Sequence, residues 1–211
     1  MIIAVDGPTA SGKGTIARAL ARQFALPHLD TGLLYRAVGW QTTLNGGDPD
    51  NPEDALAACA FRESLLENAE LRSEAVGGYA SRASIHPQVR AALLDRQKTF
   101  AARPGGAVLD GRDIGTVIAP DAPVKLYVTA STAARAERRF REMRDAGKDV
   151  LLPDILAQLE RRDARDTSRD NAPLAIAKDA FILDTTELGK DDAIAQAIAV
   201  VVQRTGASPP L

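Results

Sequence analysis

Cysteine and histidine are nearly absent from this chain of 211 residues, which carries one Cys (Cys59) and two His (His28 and His86). A lone cysteine forbids an internal disulfide, and so few ligands cannot build a His/Cys zinc centre. Aromatic residues are only 4% of the chain, and the single Trp40 reads as a packing residue. No apolar run reaches 18 residues, so no membrane-spanning helix is expected. No basic stretch followed by an apolar segment trails Met1, so no signal peptide is expected and the chain reads as soluble and cytoplasmic. An excess of either charge is missing too. Lys+Arg 26 against Asp+Glu 28 leaves −2, which argues against a general binder of nucleic acid or membrane surfaces. Lysine itself is scarce, with 6 of the 26 basic residues; the other 20 are Arg, whose planar fork suits phosphate and carboxylate. The length allows one ordinary domain with a small inserted subdomain.

What is present is a regular alternation. Ile2 to Val5 is a short continuous apolar run ended by Asp6-Gly7-Pro8, the pattern of a strand buried on both faces. From Thr15 the period changes: Ile16, Leu20 and Phe24 recur four apart beside Ala17 and Ala21, and Pro27 is expected to stop that helix. Ala107 to Leu109, Val124 to Val128 and Phe181 to Leu183 read as further buried strands, separated by helical patterns. A last helix opens at Asp191-Asp192, with Ile194, Ile198, Val201 and Val202 on its apolar face. Strands alternating with helices predict an α/β fold with a parallel sheet covered on both faces. Two stretches fit this frame poorly. Residues 41–66 begin with turn chemistry from Asn45 to Pro52 and continue as a helical insert, and residues 135–170 are crowded with Arg, Asp and Glu. Both are candidates for mobile pieces over a ligand. The tail from Thr205, with Gly206 and Pro209-Pro210, is expected to fray.

Gly7 to Thr15 reads Gly-Pro-Thr-Ala-Ser-Gly-Lys-Gly-Thr, a G-x-x-x-x-G-K pattern directly after a strand and before a helix. At this chain's own residue frequencies such a pattern arises by chance roughly 0.03 times. Its glycines let successive backbone N–H groups converge, the helix start adds about half a positive charge, and Lys13 reaches the outer phosphates. Gly14 stands directly after the lysine, where motor and switch NTPases carry a magnesium-ligating hydroxyl; here the hydroxyl comes one place later, at Thr15. Mg2+ is then expected to be held mainly by phosphates and water, with Thr15 and Asp110 as its protein oxygens, directly or through water.

Asp110-Gly111-Arg112-Asp113 follows a strand, so its side chains should emerge where open α/β sheets bind ligands. Arg162, Arg165, Asp166 and Arg169 fall at i, i+3, i+4 and i+7, one face of a helix. A row of cations repels itself unless anions arrive, and phosphoryl transfer supplies them. Arg135, Arg138, Arg139 and Arg141 read instead as a mostly solvated face. Asp30-Thr31-Gly32 with Tyr35-Arg36 gathers a hydroxyl, an aromatic ring and a guanidinium near a helix start, which suits an acceptor phosphate; simple N-capping by Asp30 or Thr31 is the bland alternative. Cys59, His28 and His86 read as structural.

With these segments together, the chain resembles the bacterial-type cytidylate kinases, nucleoside monophosphate kinases of the P-loop fold. The match runs through residues 7–15, Leu-Asp-Thr-Gly-x-x-Tyr-Arg at 29–36, Pro-x-Val-Arg at 87–90, Asp-Gly-Arg-Asp at 110–113, Pro-Asp-Ala at 120–122 and Arg-Asp-x-Arg-Asp-x-x-Arg at 162–169. The resemblance implies a five-stranded parallel sheet flanked by helices, a nucleoside-monophosphate-binding insert and an Arg-rich helical lid. On this chain those would be a core of 1–40, 88–134 and 171–205, an insert of about 41–87, a lid of about 147–170 and a tail of 206–211. It implies transfer of the γ-phosphoryl group of ATP, with Mg2+, to CMP or dCMP. Gly7, Pro8, Thr9, Ala10, Ser11, Gly12, Lys13, Gly14 and Thr15 would hold the ATP phosphates. Thr31, Arg36 and Arg112 would hold the CMP phosphate, Ser81, Arg90 and Asp113 the cytosine edge, and Arg162 and Asp166 the sugar. Lys13, Arg112, Arg165 and Arg169 would neutralise the transferring group. The family's longer members carry a small antiparallel sheet in the insert; here Phe61 to Ala69 is too short and too helical for one. The expectation is a monomer acting on small molecules, without nucleic acid or membrane partners. Two other readings compete: a P-loop kinase of the shikimate or gluconate type, whose hydroxyl acceptor would want a base, and a nucleotide-dependent switch.

Overall fold

A computed structural model describes residues 1–207; the end of the expected fraying tail, residues 208–211, lies outside the described residues. In chain order the elements are β1 (Ile2–Asp6), α1 (Lys13–Gln23), β2 (His28–Asp30), α2 (Thr31–Leu44), α3 (Pro52–Ala57), α4 (Glu74–Ala83), α5 (Pro87–Ala101), β3 (Ala107–Gly111), β4 (Val124–Thr129), α6 (Thr132–Asp145), α7 (Leu152–Ser168), β5 (Phe181–Asp184) and α8 (Lys190–Thr205). Two compact units result, residues 30–100 forming one and residues 1–29 with 101 onward the other.

The larger unit carries the sheet, in the order β2-β3-β1-β4-β5. β1 runs parallel to both β3 and β4, and β4 parallel to β5. Central β1 is buried from Ile3 to Asp6, as a strand covered on both faces requires. β5 departs from the expected buried strand: Phe181 and Ile182 are exposed and only Leu183 is buried, because β5 is an edge strand. Ile16, Ala17 and Leu20 of α1 pack on one face of the sheet with Ala193, Ala197, Val200 and Val201 of α8. The α8 stripe is thus rotated from expectation, with Ile194, Ile198 and Val202 only flanking the core. α1 ends at Gln23, ahead of Pro27. Ala25 turns left-handed at φ 51° and the Leu26 N–H reaches back to the Ala21 carbonyl, a six-residue closure that finishes the helix before proline is met.

Two features of this unit position a site. The register places Val5 beside Asp110 and Asp6 beside Gly111, so the segments after β1 and β3 leave the sheet side by side. α6 and α7 build a small core of their own from Ala136, Ile155 and Leu159, with Phe140, Met143 and Ala10 against it. On α7 the buried face continues from Ile155 and Leu159 to Asp166, four- and seven-residue steps along one stripe.

The smaller unit is helical. No strand follows β2 until β3 among the described residues, and short 3₁₀ segments at Ala58–Ala60, Glu63–Glu67 and Ala69–Arg72 stand in place of a small antiparallel sheet. Asn51 caps α3, Asn68 the turn at Ala69–Arg72 and Ser73 α4 with side-chain oxygens, and Arg82 ties the Asp48–Asn51 turn through Asp48 and Asp50. α2 and α4 touch at Gly39, where a methyl group would lie 2.7 Å from the Tyr79 carbonyl carbon.

Candidate active site

The loop from Gly7 to Gly12 is a cradle made of backbone. Gly7 passes so close to β4 that a methyl group there would sit 2.0 Å from the Val128 carbonyl oxygen, and its φ of 152° is one that side chains rarely adopt. Ala10 (φ 62°) and Gly12 (φ 88°) take the left-handed conformation that turns N–H groups inward. α1 starts at Lys13 with no acidic residue in its first turn and no side-chain cap, so its leading N–H groups face the loop as a positive pole. Lys13 folds back over the loop, its Nζ donating to the Pro8 carbonyl at 3.2 Å. The Ser11 side chain is fully buried and its Oγ has no hydrogen-bond partner among the described residues. An orphaned hydroxyl costs roughly 1–3 kcal/mol in a protein interior, and a phosphate oxygen would relieve that cost.

Arginines and aspartates close over this cradle. Arg112 donates from Nε to Asp166 at 2.7 Å and from Nη2 to the Thr9 hydroxyl at 2.6 Å. Burial disfavours its charge, yet the carboxylates of Asp166, Asp110 and Asp163 together outweigh that and hold its pKa above the usual guanidinium value. The same pairing holds Asp166 below the usual carboxylate range against its own desolvation. Arg169 donates from Nε to the Ala172 carbonyl at 2.6 Å, with Asp166 Oδ1 3.9 Å from its Nη1. It stands just beyond α7 in an extended conformation, so the expected single helical face of four residues ends at Asp166. The Leu174 N–H bonding to the Asp166 carbonyl marks where the chain turns away. Arg162 and Arg165 lie half-buried on α7.

Sequence reasoning missed Arg135, read as part of a solvated face. Its side chain is 4% exposed. It donates to the Thr9 carbonyl at 3.1 Å and grips both oxygens of Asp163, at 3.2 and 2.5 Å. Arg138 likewise reaches the Thr185 hydroxyl at 2.9 Å. Only Arg141 fits that expectation, pairing with Glu137 within its own helix; the Arg139 side chain is 18% exposed and pairs with exposed Glu142. A pattern of Arg spaced along one helix carries no hint of acceptors 28 or more residues away. Asp6 was missed as well: it is buried under the cradle and accepts from the N–H groups of Ile114 and Gly115 at 2.8 Å each. Burial pushes its pKa up to about 6, against the pull of those two N–H groups. His28, read as structural, contacts Asp110 at 2.7 Å. Cys59 is half-buried, and burial pushes its thiol up to about 11.

Asp110 and Thr15 are the oxygens expected near magnesium. Asp110 is buried at the end of β3, and a methyl group on Gly14 would be 3.6 Å from its Oδ2, so that oxygen faces the first turn of α1. The Thr15 hydroxyl lies 3.5 Å from the Arg18 guanidinium. No group of three or more His, Cys, Asp or Glu side chains could hold a metal among the described residues. Asp113 is buried two residues past β3.

In the smaller unit, Thr31 opens α2 and is buried, with Asp30 at the N-cap position making no side-chain cap bond. Arg36 donates to the carbonyls of Leu71 and Ser73 at 2.7 and 2.8 Å through one nitrogen, Nη1. Arg90 is buried, stacks its guanidinium 5.3 Å from the Tyr35 ring centroid, and donates to the Ser84 carbonyl at 3.4 Å. Ser81 is buried on α4. Arg36, Arg90 and Ser81, far apart in sequence, therefore belong to one compact unit with Thr31.

The chain is similar to known proteins along most of its length. The family model described as cytidylate kinase matches residues 3–203. A cytidylate kinase of Caulobacter vibrioides is 55% identical over 201 residues, covering 95% of this chain and 94% of that protein. One of Granulibacter bethesdensis is 54% identical over 202 residues, covering 95% and 96%, and one of Rhodospirillum rubrum 49% over 210, covering 97% and 99%. A solved structure of an uncharacterized protein from Eubacterium ventriosum aligns with TM-score 0.55 at 14% identity over 97% of this chain and 99% of its own, a likeness of fold alone. No helix among the described residues is long and apolar enough to cross a membrane. With a backbone phosphate cradle, an arginine cluster above it and relatives matched along almost their whole length, this chain belongs to the cytidylate kinase family.

Proposed function

We propose that this chain transfers the γ-phosphoryl group of ATP directly to a phosphate oxygen of CMP or dCMP, giving ADP and CDP or dCDP. The observation that carries the reading is the cradle's convergence with guanidinium groups on Thr9: its hydroxyl accepts from Arg112 and its carbonyl from Arg135. Residues 7–15 bind the ATP phosphates. Lys13, Arg112, Arg165 and Arg169 spread the charge of the transferring group, which develops on oxygens rather than on carbon. The attacking oxygen belongs to a phosphate monoester whose second pKa is about 6, so it is already anionic near neutral pH and needs no general base. Thr31, Arg36 and Arg112 hold the CMP phosphate, and Arg162 and Asp166 the sugar. Asp113 accepts from the cytosine amino group while Arg90 and Ser81 meet its acceptors; uracil reverses part of that pattern and strands a buried group.

Mg2+ fits the oxygens present, with Asp110 and Thr15 addressing it directly or through water, and when bound it neutralises phosphate charge. The protein acts in the cytoplasm as a monomer on small molecules. A hydroxyl-acceptor kinase or a nucleotide switch is not favoured, since relatives at about 55% identity span the chain. Labelled transfer tests the proposal. With [γ-32P]ATP and Mg2+ alone the chain should stay unlabelled, and adding CMP should move label into CDP. Label held on the protein, or none reaching CDP, would contradict direct transfer.

A further inference from the structure

Asp110 ends β3 with its two carboxylate oxygens turned different ways. Oδ1 lies 2.7 Å from His28 Nε2. Oδ2 points toward the start of α1, where a methyl group on Gly14 would be 3.6 Å away. A carboxylate can only accept, so Nε2 carries the proton and donates it. The donor is well anchored. β2 lies beside β3, and the Val108 N–H donates to the Pro27 carbonyl at 2.9 Å, one residue before His28. The bond is also sheltered, the two side chains being 18% and 5% exposed. Nothing in the sheet needs an imidazole there, since the backbone already joins β2 to β3.

We infer that His28 is a positioning residue, which holds one oxygen of Asp110 so that the other is presented at the cradle to the magnesium–nucleotide complex. The inference rests on the reading of Asp110 above. The terminal torsion of an aspartate is broad, and this donor narrows it, which sharpens the aim of the second oxygen. Where the protein contributes so few oxygens to an ion, aiming one of them matters; loss of an outer partner of a ligand typically costs 10–100-fold in metal affinity or activity.

Two substitutions of nearly equal length separate the donor from the packing: His28→Met removes it and His28→Gln keeps an amide N–H. Binding of Mn2+ to the full chain with ADP, followed by the electron paramagnetic resonance of free Mn2+, is the primary readout. The Mg2+ midpoint for CMP phosphorylation is the second, and ATP affinity without metal is the control. We expect His28→Met to weaken Mn2+ binding about 10-fold and raise the Mg2+ midpoint, His28→Gln to restore most of both, and metal-free ATP binding to stay as in the parent. His28→Leu repeats the measurement should His28→Met not fold. Asp110→Asn separates the two layers. If it weakens Mn2+ while His28→Met does not, the positioning role is wrong and the reading of Asp110 stands. If Asp110→Asn leaves Mn2+ binding unchanged, that reading fails and the inference falls with it.

Discussion

The cradle and the cluster above it, proposed to meet the same kind of charge, are built by opposite means. The cradle is one continuous loop from Gly7 to Gly12 that presents backbone groups, and side chains matter there mainly by their absence, as at Gly7. The cluster is all side chain, assembled from β3, α6 and α7: Arg112 with Asp166 lies across 54 residues and Arg135 with Asp163 across 28. A backbone site is therefore rigid and intolerant of added atoms, whereas a side-chain site is paired and intolerant of lost partners.

The largest effect should come from adding an atom to the cradle. Gly7→Ala drives a methyl group into the Val128 carbonyl and should cost at least about 3 kcal/mol and abolish ATP binding. Gly12→Ala, with open space around it, should cost only the left-handed strain of about 1–2 kcal/mol. Thermal melts and ATP titration check both, and equal losses at the two positions would contradict a cradle built by close approach.

Removing cations should come next. Lys13→Ala and Arg169→Ala should each lower turnover by about 10² or more, the loss typical of one transition-state donor. Steady-state kinetics with CMP check it, and near-parental turnover in either would remove that residue from the transferring group.

The paired character of the cluster is sharpened by Asp166→Asn. It leaves the Arg112 charge largely buried without its counter-charge, which should cost about 3 kcal/mol, or about 6–12 °C in melting temperature for a chain of this size. The solvated pair is the contrast: Arg141→Ala should change stability by less than about 0.5 kcal/mol. Differential scanning calorimetry separates these cases.

Asp6 gives a pH dependence with a sign to check. Its pKa is raised from 3.8 to about 6 by burial, so its contribution to stability is full below about pH 4 and is lost as pH rises through 6. That loss is worth at most about 3 kcal/mol. The stability of the parent minus that of Asp6→Asn should fall between pH 4 and 7; a flat or rising difference would contradict it.

This division also decides what could be read in the chain. The cradle was legible because its backbone geometry is written locally, in the spacing of Gly7, Gly12 and Lys13 between a strand and a helix. The parallel sheet was legible from its apolar runs, and β5 misled only because an edge strand and a central one share the same short pattern. Arg135 was illegible because its meaning lies in Asp163 and the Thr9 carbonyl, contacts that exist only once α6 and α7 pack. Asp6 and His28 were hidden for the same reason, each answering to a segment more than 80 residues away. Arg169 looked helical by spacing, but the chain leaves the helix at Ser168.

The most direct test is ADP production with ATP, Mg2+ and each of CMP, dCMP, UMP, AMP and shikimate as acceptor. Activity is expected with CMP and dCMP alone. Activity with none of them while ATP still binds, or a preference for UMP or shikimate, would contradict it.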